Sequence, residues 1–411
     1  MIHPKQASET FSGACFRSRG HPLKKAGLYV HIPFCLRKCR YCDFYSITDL
    51  SRIDDFLAGL IREIHLRSQD HDILCDTIYI GGGTPSVMSP AHIGSILDTL
   101  FRYFRIDPDM EITLEANPGT VDSRRLRELR SLGIHRLQLG IQSFQDPVLQ
   151  FLGRIHTPQE AEHALMEALS IGGWKVGADL MYNIPIRSRK DLREDLTAMT
   201  RFQPQHLSCY SLTVEEGTGL HEAMNRKEFQ MLSEEEEADR FGMVSEILGD
   251  AGYTHYEVSN FALNDSEGRF EHNRSRHNRK YWTGTPYLGF GPGAHSFVSS
   301  VRSWNDRNLT GYMQALSNKK LPPGGYEVLT RENRITEAIF LGLRTLEGID
   351  VSQLRKDFGI DLISILHPMM DTIDIRPLMI VDETRVRLTR NGWAVLDAIV
   401  RRLIDRIFAS G

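Results

Sequence analysis

The order of elements along the chain predicts an α/β fold built around a parallel sheet. Short apolar or β-branched runs recur six times within the first 212 residues. Amphipathic stretches with helical spacing separate them. The strand-to-strand interval is about 30 to 50 residues, the rhythm of successive βαβ units. In order, residues 28–32, 77–80, 111–114, 136–141, 175–180 and 206–212 read as strands. Residues 52–67, 91–104, 123–131, 158–171 and 190–201 read as the intervening helices. Six such units suit an open six-unit barrel; a doubly wound sheet has the same rhythm, and periodicity alone leaves both open.

The rest of the chain departs from that rhythm. Residues 233–248 read as a helix whose acidic start, Glu234 to Glu237, suits a helix N-terminus. Residues 264–278 are polar and loop-rich, and beyond Leu321-Pro322-Pro323-Gly324-Gly325 the pattern turns helical. Residues 331–411 read as a small helical domain ending in a short β-pair (376–388) and a helix (393–408). The divisions expected are an N-terminal extension (1–27), an α/β core (28–260), a loop-rich extension (261–325) and a small C-terminal domain (326–411).

Composition narrows the function classes. Apolar residues make up 41% and charged residues 25% of the 411, an ordinary globular balance. The net charge of −4, from 49 basic and 53 acidic residues, gives no basic footprint for nucleic acid. No apolar run approaches the ~20 residues of a transmembrane helix. The first 27 residues carry Lys5, Arg17, Arg19, Lys24 and Lys25 without an apolar core, so they read as an extension rather than a signal peptide.

Six cysteines, Cys15, Cys35, Cys39, Cys42, Cys75 and Cys209, do not make a disulfide framework in a chain of this length. Cys75 and Cys209 sit in strand-like apolar contexts and read as buried bystanders. Cys35, Cys39 and Cys42 differ, because they form a compact C-x3-C-x2-C run inside Tyr29-Val30-His31-Ile32-Pro33-Phe34-Cys35-Leu36-Arg37-Lys38-Cys39-Arg40-Tyr41-Cys42-Asp43-Phe44. A cubane iron–sulfur cluster usually takes four thiolates. Three leave one iron open to a chelating small molecule, and the amino and carboxylate groups of S-adenosylmethionine suit that vacancy. The plainer alternatives are a zinc site completed by His31, buried structural thiols, or a disulfide with a spare thiol.

The segment from Tyr29 to Phe44 resembles the signature of the radical S-adenosylmethionine superfamily. More narrowly, it resembles the branch holding oxygen-independent coproporphyrinogen III oxidases and the HemW-type heme chaperones, over about residues 28 to 400. The resemblance implies a partial (β/α)6 barrel with a small, mainly helical, winged-helix-like C-terminal domain. It also implies a [4Fe–4S] cluster on Cys35, Cys39 and Cys42, and a reducing cytoplasm suits an open, oxygen-sensitive cluster.

In parallel α/β barrels ligands bind at the C-terminal ends of strands, and the candidate binding residues fall there. Gly81-Gly82-Gly83-Thr84-Pro85 follows the second strand; glycines let a ligand approach the backbone closely. By resemblance, Gly82, Gly83 and Thr84 belong to the loop that contacts the methionyl amino group of S-adenosylmethionine. Glu115 ends the third strand, Gln142 the fourth and Asp179 the fifth, with Arg154 after the fourth. These four match the family's S-adenosylmethionine-binding residues in type and order. Carboxylates accept from ribose hydroxyls or the amino group, Gln142 both donates and accepts, and Arg154 can clamp the carboxylate. A structural ion pair of Arg154 with Glu115 or Asp179 is the plainer reading. Tyr29 is expected over the cluster side.

Two features separate chaperone from oxidase. The oxidases carry a further cysteine two positions past the third; here that position is Phe44, as in HemW-type sequences. The second is His277-Asn278-Arg279-Lys280-Tyr281-Trp282, which resembles the H-N-x-x-Y-W motif of the chaperone branch. His277 is a candidate iron ligand for heme, with Tyr281 and Trp282 as flat surfaces for the macrocycle. The plainer reading is a satisfied histidine in an aromatic cluster. His295 is the competing ligand; His272 and His255 are weaker ones. The resemblance thus implies heme as cargo and a heme-accepting partner, such as a membrane cytochrome or respiratory enzyme. A homodimer is the oligomer considered. It assigns no catalytic residue, and coproporphyrinogen oxidation through a 5′-deoxyadenosyl radical remains the alternative.

Overall fold

The computed structural model describes residues 25–370 and 375–409; Cys15 and most of the N-terminal extension lie outside them. Six parallel strands form the centre: β1 (Lys25–Ile32), β2 (Leu74–Gly82), β3 (Arg105–Ala116), β4 (Arg136–Gln142), β5 (Lys175–Tyr182) and β6 (His206–Ser211). They follow one another in the sheet in chain order. The connections carry α1 (Ile53–Ser68), α2 (Pro90–Tyr103), α3 (Ser123–Ser131), α4 (Asp146–Leu152), α5 (Pro158–Ile171) and α6 (Arg189–Phe202). This is the partial (β/α)6 barrel, and the doubly wound alternative is set aside. β1 begins at Lys25, inside the expected extension, where Lys25 pairs with Asp107 at 2.8 Å.

Side-chain alternation divides each strand into two faces. Leu28, Val30 and Ile32, Ile78 and Ile80, Ile112 and Leu114, Leu137 and Leu139, and Val176 and Ala178 are buried toward the helices. The opposite face carries Tyr29, Thr77, Tyr79, Glu115, Gln138, Asp179 and Ser208; there Tyr79 touches Tyr29 and Glu115, and Gln138 touches Asp179 and Ser208. Burying the apolar face drives folding at about 25 cal/mol per Å² and leaves the polar face free for ligands.

The sheet does not close on itself. After α7 (Gly219–Asn225) and α8 (Glu234–Asp250), β7 (Tyr253–Glu257) and β8 (Asn260–Leu263) add antiparallel to β6. On the other flank β9 (Tyr287–Phe290) pairs parallel with β1, followed antiparallel by β10 (His295–Val298), β11 (Val301–Asn305) and β12 (Gly324–Val328). The segment read as loop-rich therefore supplies most of this second flank, and only the end of β8 on the first. It also supplies α9 (Arg276–Thr283), which carries the HNRKYW motif, and α10 (Leu309–Ser317). Strands of four or five residues interrupted by Gly289, Gly291 and Gly293 are too short to show periodicity, and an eight-residue polar helix resembles a loop.

The C-terminal part opens with α11 (Arg331–Leu343) and holds a three-stranded antiparallel sheet of Ile349–Asp350, Arg385–Leu388 and Met379–Val381. The expected terminal helix is divided at Val395 into Arg390–Ala394 and Leu396–Ala409. Arg344 pairs with buried Glu257 at 2.6 Å, and the Trp393 indole N–H donates to the Leu343 carbonyl.

Candidate functional site

The cysteine loop leaves the end of β1 and is held on several sides. Cys35 N–H donates to Ile47 O and Ile47 N–H to Pro33 O, closing its base. Arg40 N–H donates to Leu152 O at the end of α4, while Arg40 O accepts from Leu220 N–H in α7. Beneath it Val148, Leu152, Met181, Ile184, Leu212 and Leu220 form a small separate core that Tyr41 joins. Cys35, Cys39, Cys42, Cys75 and Cys209 are all free thiols, and Cys75 and Cys209 are buried as expected.

The donors suit a cluster better than zinc. His31 is buried, its Nε2 donates to Tyr45 O at 2.8 Å, and Tyr29 hydroxyl lies 3.1 Å from Nδ1. Burial lowers its pKa to about 4, and neither nitrogen is left for a metal. Among the described residues no three His, Cys, Asp or Glu side chains are set for one shared ion. A four-iron cluster asks instead for one thiolate at each of three corners. Burial, with the charges of Cys39 and Cys35 adding to it, pushes the Cys42 thiol up to about 11. Iron at the sulfurs reverses that balance, because a coordinating thiol is deprotonated.

A belt of hydrogen bonds joins two of the thiols from behind. Thr84 Oγ1 lies 3.4 Å from Cys35 Sγ and accepts from Asn117 Nδ2 at 2.9 Å. Asn117 Oδ1 in turn accepts from Arg154 Nη2 at 2.7 Å, and Arg154 Nη1 lies 3.5 Å from Cys39 Sγ. Arg154 also donates to Gly140 O at 2.6 Å. Burial alone would lower its pKa, but Tyr41 and Cys39 raise it above the usual value. Among the described residues Arg154 forms no ion pair with Glu115 or Asp179, so that simpler reading does not hold. Asn117 escaped the sequence-based choice of binding residues because Asn-Pro-Gly reads as a turn.

Two glycines let the second loop seat against the first. A Cβ at Gly83 would stand 2.7 Å from Phe34 O, 2.9 Å from Ile32 O and 3.1 Å from Cys35 Sγ. Gly82 has φ +107°, and a Cβ there would meet His31 Nδ1 at 2.6 Å. Gly83→Ala should therefore displace the cysteine loop and reduce reconstituted iron per chain at least twofold, measured by iron and sulfide analysis. Wild-type iron content in that variant would show that the loops do not depend on this contact.

Above the belt, the lumen presents the remaining candidates. Glu115 accepts from Tyr79 hydroxyl at 2.6 Å and from Gly82 N–H at 3.1 Å. Burial, with Asp179 adding to it, raises its pKa to about 7. Asp179 accepts from Gln138 Nε2 at 2.7 Å and is raised to about 6 by burial. Gln142 closes β4 in the left-handed region at φ 69°, beside a register shift against β5. Such a conformation costs about 1–3 kcal/mol for a residue with a Cβ, and strain of this kind clusters at ligand sites.

The HNRKYW motif lies at the opposite, N-terminal end of the barrel. His277 is 0% exposed, with Nδ1 2.9 Å from Thr77 Oγ1 and Nε2 3.0 Å from Tyr281 hydroxyl. Burial lowers its pKa to about 3. Trp282 packs edge-on to Tyr256. The motif is thus not an open face for a macrocycle. His255 is likewise satisfied, between Ser245 and Val258 and stacked on Phe261 at 4.0 Å. His272 is exposed on a short helical turn. His295 is also exposed and stacks on Trp304 at 5.9 Å and 29°.

Residues 29–199 match the Radical SAM superfamily and residues 329–395 the HemN C-terminal domain. The heme chaperone HemW of Mycobacterium tuberculosis is 33% identical over 388 residues, covering 93% of this chain and 96% of that protein. This chain belongs to the HemW family. The Bacillus subtilis HemW is 30% identical, covering 89% of this chain and 95% of its own length. Coproporphyrinogen III oxidase (HemN) from Escherichia coli superposes with a TM-score of 0.77 at 23% identity, over 93% of this chain and 90% of that one; that likeness speaks for the fold alone. Among the described residues no helix is long and apolar enough to cross a membrane.

Proposed function

We propose that this chain is a heme chaperone of the cytoplasm that holds a [4Fe–4S] cluster on Cys35, Cys39 and Cys42 and binds S-adenosylmethionine beside it. A cluster held by these three thiolates would supply an open iron for the amino and carboxylate groups and an electron for the sulfonium. Arg154, already aimed at Cys39, clamps the carboxylate; Gly82, Gly83 and Thr84 offer backbone and hydroxyl groups to the amino end. Glu115, Gln142 and Asp179 line the lumen for the ribose, and Tyr29 covers the cluster side. The cargo passes to a heme-accepting protein, such as a membrane cytochrome or respiratory enzyme.

Phe44 carries this reading: it lies 62% exposed at the end of the cysteine loop, where the oxidase branch has a further cysteine. Its neighbour Asp43 is held by both terminal nitrogens of Arg307, at 3.1 and 3.0 Å, which ties the loop to the flank carrying His295. For the heme iron the geometry favours His295. The residue is exposed, Trp304 lies flat beside it, and partial burial with the charges of Arg302 and Arg307 lowers its pKa. The neutral imidazole is the form that ligates a metal; the two arginines are themselves paired, Arg302 with Glu337 and Arg307 with Asp43.

Anaerobic heme titration followed by Soret absorption tests this. Wild type should bind saturably, and His295→Ala should lose or shift the Soret band. Unchanged spectra in His295→Ala would remove it as the ligand. No specific binding by wild type, or protoporphyrinogen formed at many turnovers per chain, would overturn the chaperone reading in favour of the oxidase.

A further inference from the structure

We infer that the HNRKYW segment is the floor of the cofactor cavity, and that His277 is a positioning residue for Tyr79 and, through it, Glu115. The inference rests on the proposed S-adenosylmethionine site. It gives the motif a task unrelated to heme iron.

His277, Lys280 and Tyr281 of the floor are spent on the barrel. The N-terminus of α9 is held by Glu111, which accepts from Arg276 N–H at 2.9 Å. Lys280 pairs with Asp76 at 2.6 Å, both buried, next to Thr77 on β2. Gly27 of β1 has no room for a Cβ, which would stand 2.9 Å from Lys280 Cδ and 3.0 Å from His277 Cε1. Tyr281 packs edge-on to Tyr287 of β9 at 4.7 Å. The helix is thereby fixed to four neighbouring strands, β9, β1, β2 and β3, beneath the lumen.

From this base a column of rings rises toward the cofactor end. The His277 ring lies 5.2 Å from that of Tyr79, and Tyr79 lies 6.2 Å from Tyr29. Tyr79 hydroxyl then donates to Glu115, whose other oxygen accepts from Gly82 N–H in the glycine loop. His277 is thus three contacts from the loop that seats against Cys35. Its two hydrogen bonds, to Thr77 and Tyr281, fix the plane on which Tyr79 leans. Truncating His277 leaves a cavity under Tyr79 and two unpaired hydroxyls.

The test uses anaerobically reconstituted protein carrying its cluster. His277→Ala and Tyr79→Phe should each weaken S-adenosylmethionine binding about tenfold, a change of 1.4 kcal/mol, with iron content and the heme Soret titration unchanged. The double variant should be no worse than the weaker single one, because both act through one hydrogen bond. Binding also carries a pH signature. Glu115 faces Tyr79, Tyr29, Tyr281, Tyr210 and Asp179, and ionised Glu115 is the form that accepts from the ligand. The Tyr79 bond lowers its pKa, so losing that bond moves the loss of affinity to higher pH in both variants. A purely structural defect would not shift that midpoint. Glu115→Ala serves as the control: if it leaves affinity intact, the assumed site is wrong and the inference falls with it. If Glu115→Ala weakens binding while His277→Ala does not, the inference alone is overturned. A His277→Ala protein that loses its Soret band with unchanged S-adenosylmethionine affinity would return His277 to the iron.

Discussion

Cys39→Ser should yield a colourless protein, with reconstituted iron falling from about four per chain to below one. Cys39 is the middle ligand of the run and the thiol nearest Arg154 Nη1, at 3.5 Å. A serine hydroxyl stays protonated where a thiol ionises, and it is a poor donor to iron beside sulfide. Fold stability should change little, because Cys39 is half-exposed on a loop whose base is closed by Cys35 and Ile47. S-adenosylmethionine affinity should fall with the iron, since the open coordination site goes with the cluster. Iron and sulfide analysis and visible absorption measure the first effect, and equilibrium dialysis the second. A full cluster in this variant would show that the three thiolates are not the ligands.

The second large effect is on stability. Glu63 is fully buried in α1 and accepts from Arg67 Nε at 2.8 Å, Gly291 N–H at 2.8 Å, Asn305 Nδ2 at 2.8 Å and Tyr312 hydroxyl at 2.7 Å. Glu63→Ala removes the acceptor from all four donors, of which Asn305 Nδ2 keeps a second partner in Gly291 O, at a cost of about 3–5 kcal/mol for removing one member of a buried charged network. Urea unfolding should show a midpoint lowered accordingly, and a loss below about 1 kcal/mol would mean that water reaches these groups. Gly291 opens the turn leading to His295, so the same variant should also weaken heme binding relative to its iron content.

How far the sequence revealed this molecule depended on the length of each signal. The six central strands are buried against helices on one face, and their apolar runs stood out; helices such as Ser123–Ser131 and Pro158–Ile171 were bounded by Asp122 and Thr157 caps. The flanking strands β7 to β12 are four or five residues long and were not legible. The cysteine run was readable because its ligands are adjacent in sequence. Asn117 and Tyr79 were not, since each acts across 30 to 40 residues through register alone: Asn117 on Thr84 and Arg154, Tyr79 on Glu115. The HNRKYW motif was legible as a motif but not in its place. A His beside aromatic residues reads the same whether it faces solvent or, as here, lies wholly inside.

The missing contact between β1 and β6 has a further consequence. Because β9 occupies the free edge of β1, the surface carrying Tyr29 continues through Tyr287 onto Phe297, His295 and Trp304 without a seam. The wall is therefore open at that flank instead of closed into a ring, and a change in β9 or β10 reaches the Tyr29 side through backbone pairing alone.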